Sequence, residues 1–406
     1  MRMTLKTALA ASLLIVPMLS LATSETKGTG DSEIRIGNIM PYSGPLTEFS
    51  SIGKTESAYF NMINDRGGIN GRKVRFITRD DGSSPRTALE QTRRLIDDDN
   101  ALLIFGSFGT PGNFAVRSYL NENKIPQLFV ASGDEEWNKP DAFPWTMGWQ
   151  PSFRTEGRIY ANFVQAFYPD RKLAVLWQND QFGRDLLIGL QEGMADWARM
   201  IVADSTFDMS DKSINRQIDL LRASGAGVLL FAGSPNAAEL AIRRLGDIDW
   251  HPVVIVINVA APALRALTQA GVQNTEGAIS TSFLKDAADP AWKEDEGVKR
   301  FSTFMDKCYS DGDKRDSNVV FGYAAAETLS RVLEQCADDL SRENIMRQAA
   351  SLKDFQSSVT LPGITINTGP NDFRPIKQVR LVQFDGSLWQ PIGDVIDGAF
   401  LDRTNR

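Results

Sequence analysis

Short apolar runs alternate along this chain with stretches whose apolar residues recur every three or four positions. The runs cover 34–40, 74–78, 102–105, 127–131, 173–177, 201–207, 228–231 and 253–257. Their cores are nearly continuous in apolar residues, the pattern of strands covered on both faces. Between them, 51–64, 86–97, 114–121, 155–167, 184–197, 215–223 and 237–245 carry helical periodicity. Strands separated by helices of that length pair in parallel through right-handed βαβ units, so the expected class is α/β with doubly wound parallel sheets.

The pattern repeats. Residues 102–120 read LLIFGSFGTPGNFAVRSYL and 228–245 read VLLFAGSPNAAELAIRRL: a strand, small residues with Ser, then Pro and Asn, then a helix. Upstream of each lies a second matched pair, FITRDDGSSPRTALEQTRRLI at 76–96 and DSTFDMSDKSINRQIDLL at 204–221. Two similar lobes explain this best. The last third changes character: helical windows at 291–308, 319–336 and 342–352 precede two strand-like runs, 378–384 and 389–392, around the hairpin signal Asp385-Gly386. These late segments return to complete both lobes, giving expected boundaries of 33–149 with 282–360 for one lobe and 150–281 with 361–406 for the other.

Residues 1–22 read as a cleavable export signal. Arg2 and Lys6 precede an apolar stretch at 7–21, and Ser20-Leu21-Ala22 supplies small residues at the cleavage spacing. The stretch is short of the roughly 20 residues of a permanent span, and no cysteine stands at the cleavage point for a lipid anchor. The expected product is soluble and periplasmic. Cleavage removes two positive charges and no acidic residue, taking the net charge from -7 to -9. Phosphate backbones require a basic surface, so nucleic acid is excluded as the main partner. The 406 residues include one histidine, His251, and two cysteines, Cys308 and Cys336. Catalytic triads, His-rich zinc sites and iron–sulfur clusters are therefore not expected, nor is any metal or cofactor. Export permits a disulfide, but the two thiols close successive helices whose ends lie apart if the helices pack antiparallel; two unpaired, buried thiols are expected.

In open α/β sheets, ligands sit beyond the carboxyl ends of the strands. The loops found there are 41–45 leading to Phe49, 106–111, 132–134, 178–183, 233–236 and 258–259. They are small and hydroxylic, with aromatic residues interspersed. Hydroxyls with free N–H groups at helix N-termini suit a carboxylate, and Phe49, Phe182 and Trp149 are expected as apolar walls. Competing motifs fail. Gly53-Lys54-Thr55 has Glu48 where a P-loop needs Gly, and Gly106, Gly109 and Gly112 are spaced GxxGxxG, which is no dinucleotide fingerprint. No GxSxG elbow occurs. Asp80-Asp81, after a strand, reads as a turn or capping device.

The stretches IRIGNIMPYSGPLTEFSSIG, INDRGGINGRKVRFITRDD, FGSFGTPGN, IPQLFVASG, MGWQPSFRTEGRIYANF, LAVLWQNDQFG and VVFGYAAAETL resemble, in order, the leucine/isoleucine/valine-binding family of bacterial solute-binding proteins, the exported receptors of ABC importers. The resemblance implies two lobes joined by a three-crossover hinge, a type I periplasmic binding fold that encloses its ligand by closing. Carried over by position, Ser107, Phe108, Gly109 and Thr110 with Ala131, Ser132 and Gly133 are expected to hold a carboxylate. Phe49 and Phe182 fall at aromatic lining positions, and Ser234 and Asn258 near those that meet an amino group. The acid an amino-acid binder would use there is not evident at 256–259, and a buried ammonium without a carboxylate is costly.

The expectation is accordingly a monomeric binding protein, not an enzyme, that captures a small organic carboxylate, aromatic or branched-chain-amino-acid-like, and delivers it to an inner-membrane ABC permease. An amino acid, amide or urea-type receptor of the same fold is the alternative. A secreted α/β hydrolase, which would need His251, is the rival from another class.

Overall fold

The computed structural model describes residues 29–30, 33–269, 272 and 275–398; the export signal read over 1–22 lies outside them. The first sheet contains β1 (Thr29–Gly30), β2 (Glu33–Met40), β3 (Lys73–Asp80), β4 (Leu103–Phe105), β5 (Gln127–Val130) and β6 (Thr146–Gly148). β2 pairs in parallel with both β3 and β4, and β5 and β6 continue the sheet in parallel; β1 alone runs antiparallel. Helices α1 (Ser50–Asp65), α2 (Pro85–Asp97) and α3 (Thr110–Glu122) connect these strands.

Helix α4 (Phe153–Phe167) opens the second lobe. Its sheet contains β7 (Leu173–Gln178), β8 (Ile201–Phe207), β9 (Val228–Ala232), β10 (Val253–Val256), β11 (Ile279–Ser282), β12 (Gln378–Phe384) and β13 (Trp389–Asp397). The order is β13-β12-β11-β10-β9-β7-β8. From β8 to β11 all pairing is parallel, whereas β11–β12 and β12–β13 are antiparallel. The lobe is thus a mixed sheet, because its last strands arrive as a hairpin and not through a helical crossover. Connecting helices are α5 (Gln181–Met194), α6 (Asn215–Ala223), α7 (Pro235–Asp247) and α8 (Pro262–Gln269).

The three late helices are α9 (Glu296–Cys308), α10 (Ser317–Gln335) and α11 (Arg342–Ala349). α9 and α10 pack on α1 of the first lobe, with Tyr59, Phe301, Phe304 and Tyr323 interleaved at ring separations of 5.0–6.5 Å. The chain therefore crosses between lobes three times: after β6, after β11 and before β12. The second and third crossings pair with each other, Lys285 N–H to Val359 O at 2.8 Å and Leu361 N–H to Phe283 O at 3.0 Å. Trp149, in the first crossing, is fully buried, with its indole N–H on Thr328 Oγ1 at 3.1 Å and its ring edge-on to Phe283 and Phe321. Both thiols are free, but only Cys336 is buried. Cys308 ends α9 on its solvent side, correcting the expectation of two buried thiols.

Candidate functional site

In each sheet the chain order reverses beside the first strand of the lobe: β2 has β3 on one side and β4 on the other, and β7 has β8 and β9. The loops leaving such neighbours diverge and open a crevice. Here the two crevices face each other and form one cavity of about 290 Å³. The first lobe contributes the segment after β2 with Phe49, and the α3 N-terminus. The second contributes the segment after β7, from Gln178 to Phe182, and Ser234 after β9.

Eight expected residues line this cavity: Phe49, Phe108, Gly109, Thr110, Ala131, Ser132, Phe182 and Ser234. Four do not. Ser107 is buried and turned inward, its Oγ accepting the Ile39 N–H at 3.3 Å. Gly133 packs against Pro151 O and the Phe153 ring with no room for a side chain. Trp149 belongs to the hinge core described above. Asn258 lines a second, neighbouring cavity.

The walls have distinct chemistry. Thr110 and Ser132 hydroxyls lie 2.7 Å apart, and Ser132 Oγ also accepts the Trp137 indole N–H at 3.0 Å. Two hydroxyls carry two hydrogens and one closes the pair, so one remains to donate into the cavity. Beside them α3 begins at Gly109, whose φ of 91° suits glycine and which offers no side-chain cap. Pro111 has no N–H and Asn113 N–H is held on Gly109 O at 3.4 Å, so the Thr110 and Gly112 N–H groups are the ones left for a guest, at the positive end of the helix dipole. Rings supply the rest of the surface: Phe49 and Phe108 stack at 4.1 Å from the first lobe, and Phe153 and Phe182 meet edge-on at 4.6 Å from the second.

Among the described residues no Lys or Arg lines this cavity, but two carboxylates do, Asp81 and Asp180. Asp180 caps α5, accepting Gly183 N–H at 3.2 Å and Gln178 Nε2 at 2.6 Å. Burial raises its pKa against those hydrogen bonds. Asp81 Oδ1 accepts Ser83 N–H at 2.8 Å, and burial pushes its pKa to about 6. Gln178 Oε1 is buried without a hydrogen-bond partner. Asp81 is thus the turn device its sequence suggested and a cavity wall as well. In the sequence Asp180 is only one position of the loop 178–183, with no role of its own. No acid stands at 256–259; the second-lobe carboxylate that lines the cavity, Asp180, comes from the loop after β7.

Behind the first-lobe wall Glu56 is wholly buried, with Asn38 Nδ2 donating to Oε2 at 3.2 Å; burial drives its pKa far upward. Among the described residues no cluster of three or more His, Cys, Asp or Glu is placed to hold a metal ion. No helix among them is long and apolar enough to cross a membrane. His251 is exposed beside Asp249, remote from the cavity lining.

Two α/β lobes with a cleft between their switch points define a hinged solute-binding protein. The periplasmic binding protein family model matches residues 33–387, and the chain belongs to that family. It is a leucine/isoleucine/valine-binding-like member, and members of the family are binding proteins. The chain is 22% identical over 325 residues to an amino acid binding protein of Pseudomonas aeruginosa, covering 77% of this chain and 82% of that one. It is 21% identical over 328 residues to Leu/Ile/Val-binding protein homolog 1 of Brucella abortus, covering 78% and 82%. The fold matches a branched-chain amino acid ABC transporter protein of Thermus thermophilus with bound valine at a TM-score of 0.83, with 13% identity over 93% of this chain and 99% of that one. It also matches a fatty acid ABC transporter substrate-binding protein of Thermomonospora curvata at 0.75, with 16% identity over 91% and 94%.

Proposed function

We propose that this protein captures an apolar α-amino acid in the periplasm and hands it, unaltered, to an inner-membrane ABC permease. The observation that carries this reading is the charge pattern of the cavity: the hydroxyl pair and the α3 N-terminus on the first lobe, which also carries Asp81, and on the second lobe the Asp180 carboxylate with no cation. A zwitterion fits both walls at once. Its carboxylate takes the Thr110–Ser132 hydroxyl pair and the α3 N–H groups, and its ammonium takes Asp180 and Gln178 Oε1. A carboxylate lacking the amine would leave Asp180 facing it as an unpaired like charge. The names of the Pseudomonas and Brucella relatives and the bound valine of the Thermus protein support the same class. The phenyl rings supply the side-chain pocket. Binding bridges the lobes, so it favours the closed arrangement by its extra contacts there. The protein acts as a monomer, with closure about the crossovers 149–152, 283–285 and 359–361.

The test is a thermal-shift screen of ligand-stripped protein against L-amino acids and matched acids without the amine, since a ligand stabilises by RT ln(1 + [L]/Kd). Apolar amino acids are expected to raise the unfolding midpoint and 4-methylpentanoate or phenylacetate to leave it unchanged. Shifts with the acids and none with amino acids would sink the amino-acid reading and restore the aromatic-carboxylate one.

A further inference from the structure

A second cavity of about 220 Å³ adjoins the first on the hinge side, sharing Phe49, Phe108, Gln150 and Val259 with it. The stacked Phe49–Phe108 pair therefore stands as a partition between two chambers. The first chamber alone, about 290 Å³, sits at the lower edge of ligand pockets, which span roughly 300–1,000 Å³. The second is walled by Phe283, Phe321 and Trp389, with the ion-paired Arg265, Asp286 and Lys285 also in its lining, and it contains one polar group without a partner. Asn258 Nδ2 is buried with no hydrogen bond, although the same residue's backbone N–H is held on Glu156 Oε1 at 3.3 Å. Arg380 donates Nε–H to Gly393 O at 2.9 Å and enters no ion pair among the described residues. A buried amide donor left unpaired costs about 1–3 kcal/mol, so a chamber that presents one is complementary to an acceptor.

The geometry points to a bipartite ligand site in which the hinge-side chamber receives the side chain of an amino acid larger than leucine, aromatic and ending in a hydrogen-bond acceptor. This rests on the amino-acid reading above and adds the substrate class. The head group stays between the hydroxyl pair and Asp180. The side chain passes the Phe49–Phe108 partition, stacks among the rings and meets Asn258 Nδ2 with its distal oxygen. Tyrosine has these features: an apolar ring of the right character and a phenol oxygen that accepts from Asn258.

The experiment is calorimetric titration of the ligand-stripped full chain with alanine, leucine, phenylalanine, tyrosine and 3-(4-hydroxyphenyl)propionate. The expected order of affinity is tyrosine, phenylalanine, leucine, alanine, with about tenfold or more between the first and last. Ser282→Trp, which fills the hinge-side chamber from β11, is expected to cut the tyrosine-to-alanine affinity ratio about tenfold. Asn258→Leu, similar in volume, is expected to erase the preference for tyrosine over phenylalanine. Trp389→Ala, at the half-buried rim, reports on the same chamber should Ser282→Trp fail to fold, and is expected to lower the tyrosine-to-alanine ratio several-fold. Tight alanine or leucine binding with ratios unmoved by all three variants overturns the bipartite site and leaves the amino-acid reading standing. Binding of the hydroxyphenylpropionate as tight as tyrosine, still sensitive to Ser282→Trp, overturns the amino-acid reading and keeps the second chamber. Binding of none of these compounds overturns both.

Discussion

Asp180 does two tasks, and a substitution can separate them. As N-cap of α5 it accepts Gly183 N–H; as a cavity wall its charge faces the ligand ammonium. Asparagine caps as well as aspartate, so Asp180→Asn is expected to change stability by less than about 0.5 kcal/mol. Amino-acid affinity is expected to fall by about 2 kcal/mol or more, the loss typical of removing one partner of a buried charge pair. Calorimetry with the best-binding amino acid, alongside a urea melt, checks both. Unchanged affinity would place the ammonium elsewhere. Gly106 illustrates a residue fixed by what lies opposite. Its φ is +64°, and a Cβ there would stand 2.4 Å from Glu56 Oε1. Gly106→Ala is expected to destabilise by about 2–4 kcal/mol, through left-handed backbone strain and overpacking, measured as a lowered urea midpoint.

At the scale of elements, the α3 N-terminus carries the carboxylate subsite. Thr110 is buried and bonded to Ser132, so Thr110→Val keeps its volume and removes the hydroxyl pair; ligand affinity is expected to drop about tenfold while the melting midpoint holds within about 2 °C. Elements are also where the sequence was most readable. Apolar runs located β2 to β5 and β7 to β10 within a residue or two; all but the half-exposed edge strands β3 and β8 are largely buried and have no polar face to blur them. β6 and β11 were missed: Thr146–Gly148 is only three residues long and Ile279–Ser282 is half hydroxylic. Among site residues, loop position after a strand found the hydroxyl pair, Phe49 and Phe182. It could not find Phe153 or Gln150, which enter the cavity from the first crossover, just past the end of the unread strand β6. Nor could it rank Asp180 and Asp81, since capping a turn and facing a ligand leave the same mark in sequence. Trp149 misled for the opposite reason. A large aromatic beside the hinge looks like a ligand wall until Thr328 on α10, far along the chain, is seen to hold its indole.

At the scale of the molecule, closure brings like charges together. Asp185 belongs to α5 of the second lobe and is buried; its carboxylate accepts the Glu135 N–H of the first lobe at 3.1 Å. Asp134 and Glu135 face it across the cleft and Arg154 from α4, and Arg374 stands 3.9 Å from Glu135. Burial first, and then the Asp134 charge, push the Asp185 pKa up to about 8. Asp134 rises to about 6, again chiefly through burial. Opening the cleft is expected to separate these carboxylates and return Asp185 towards its ordinary value. A carboxyl whose pKa is raised in the closed form favours that form fully at low pH and loses the advantage as pH climbs through the raised value. Closure therefore takes up a proton near neutrality, and ligand affinity is expected to strengthen as pH falls from about 8.5 to 7, a window that lies above the Asp81 pKa of about 6. Asp185→Asn keeps the acceptor for Glu135 N–H and removes the titration, so its affinity is expected to be flat over the same range. Titrations in two buffers of different ionisation enthalpy measure the proton directly: uptake by the native chain at pH 7.5 and none by the variant. Equal proton counts in both would assign the linkage to another group, and no uptake in either would mean that Asp185 is as buried with the cleft open as with it closed.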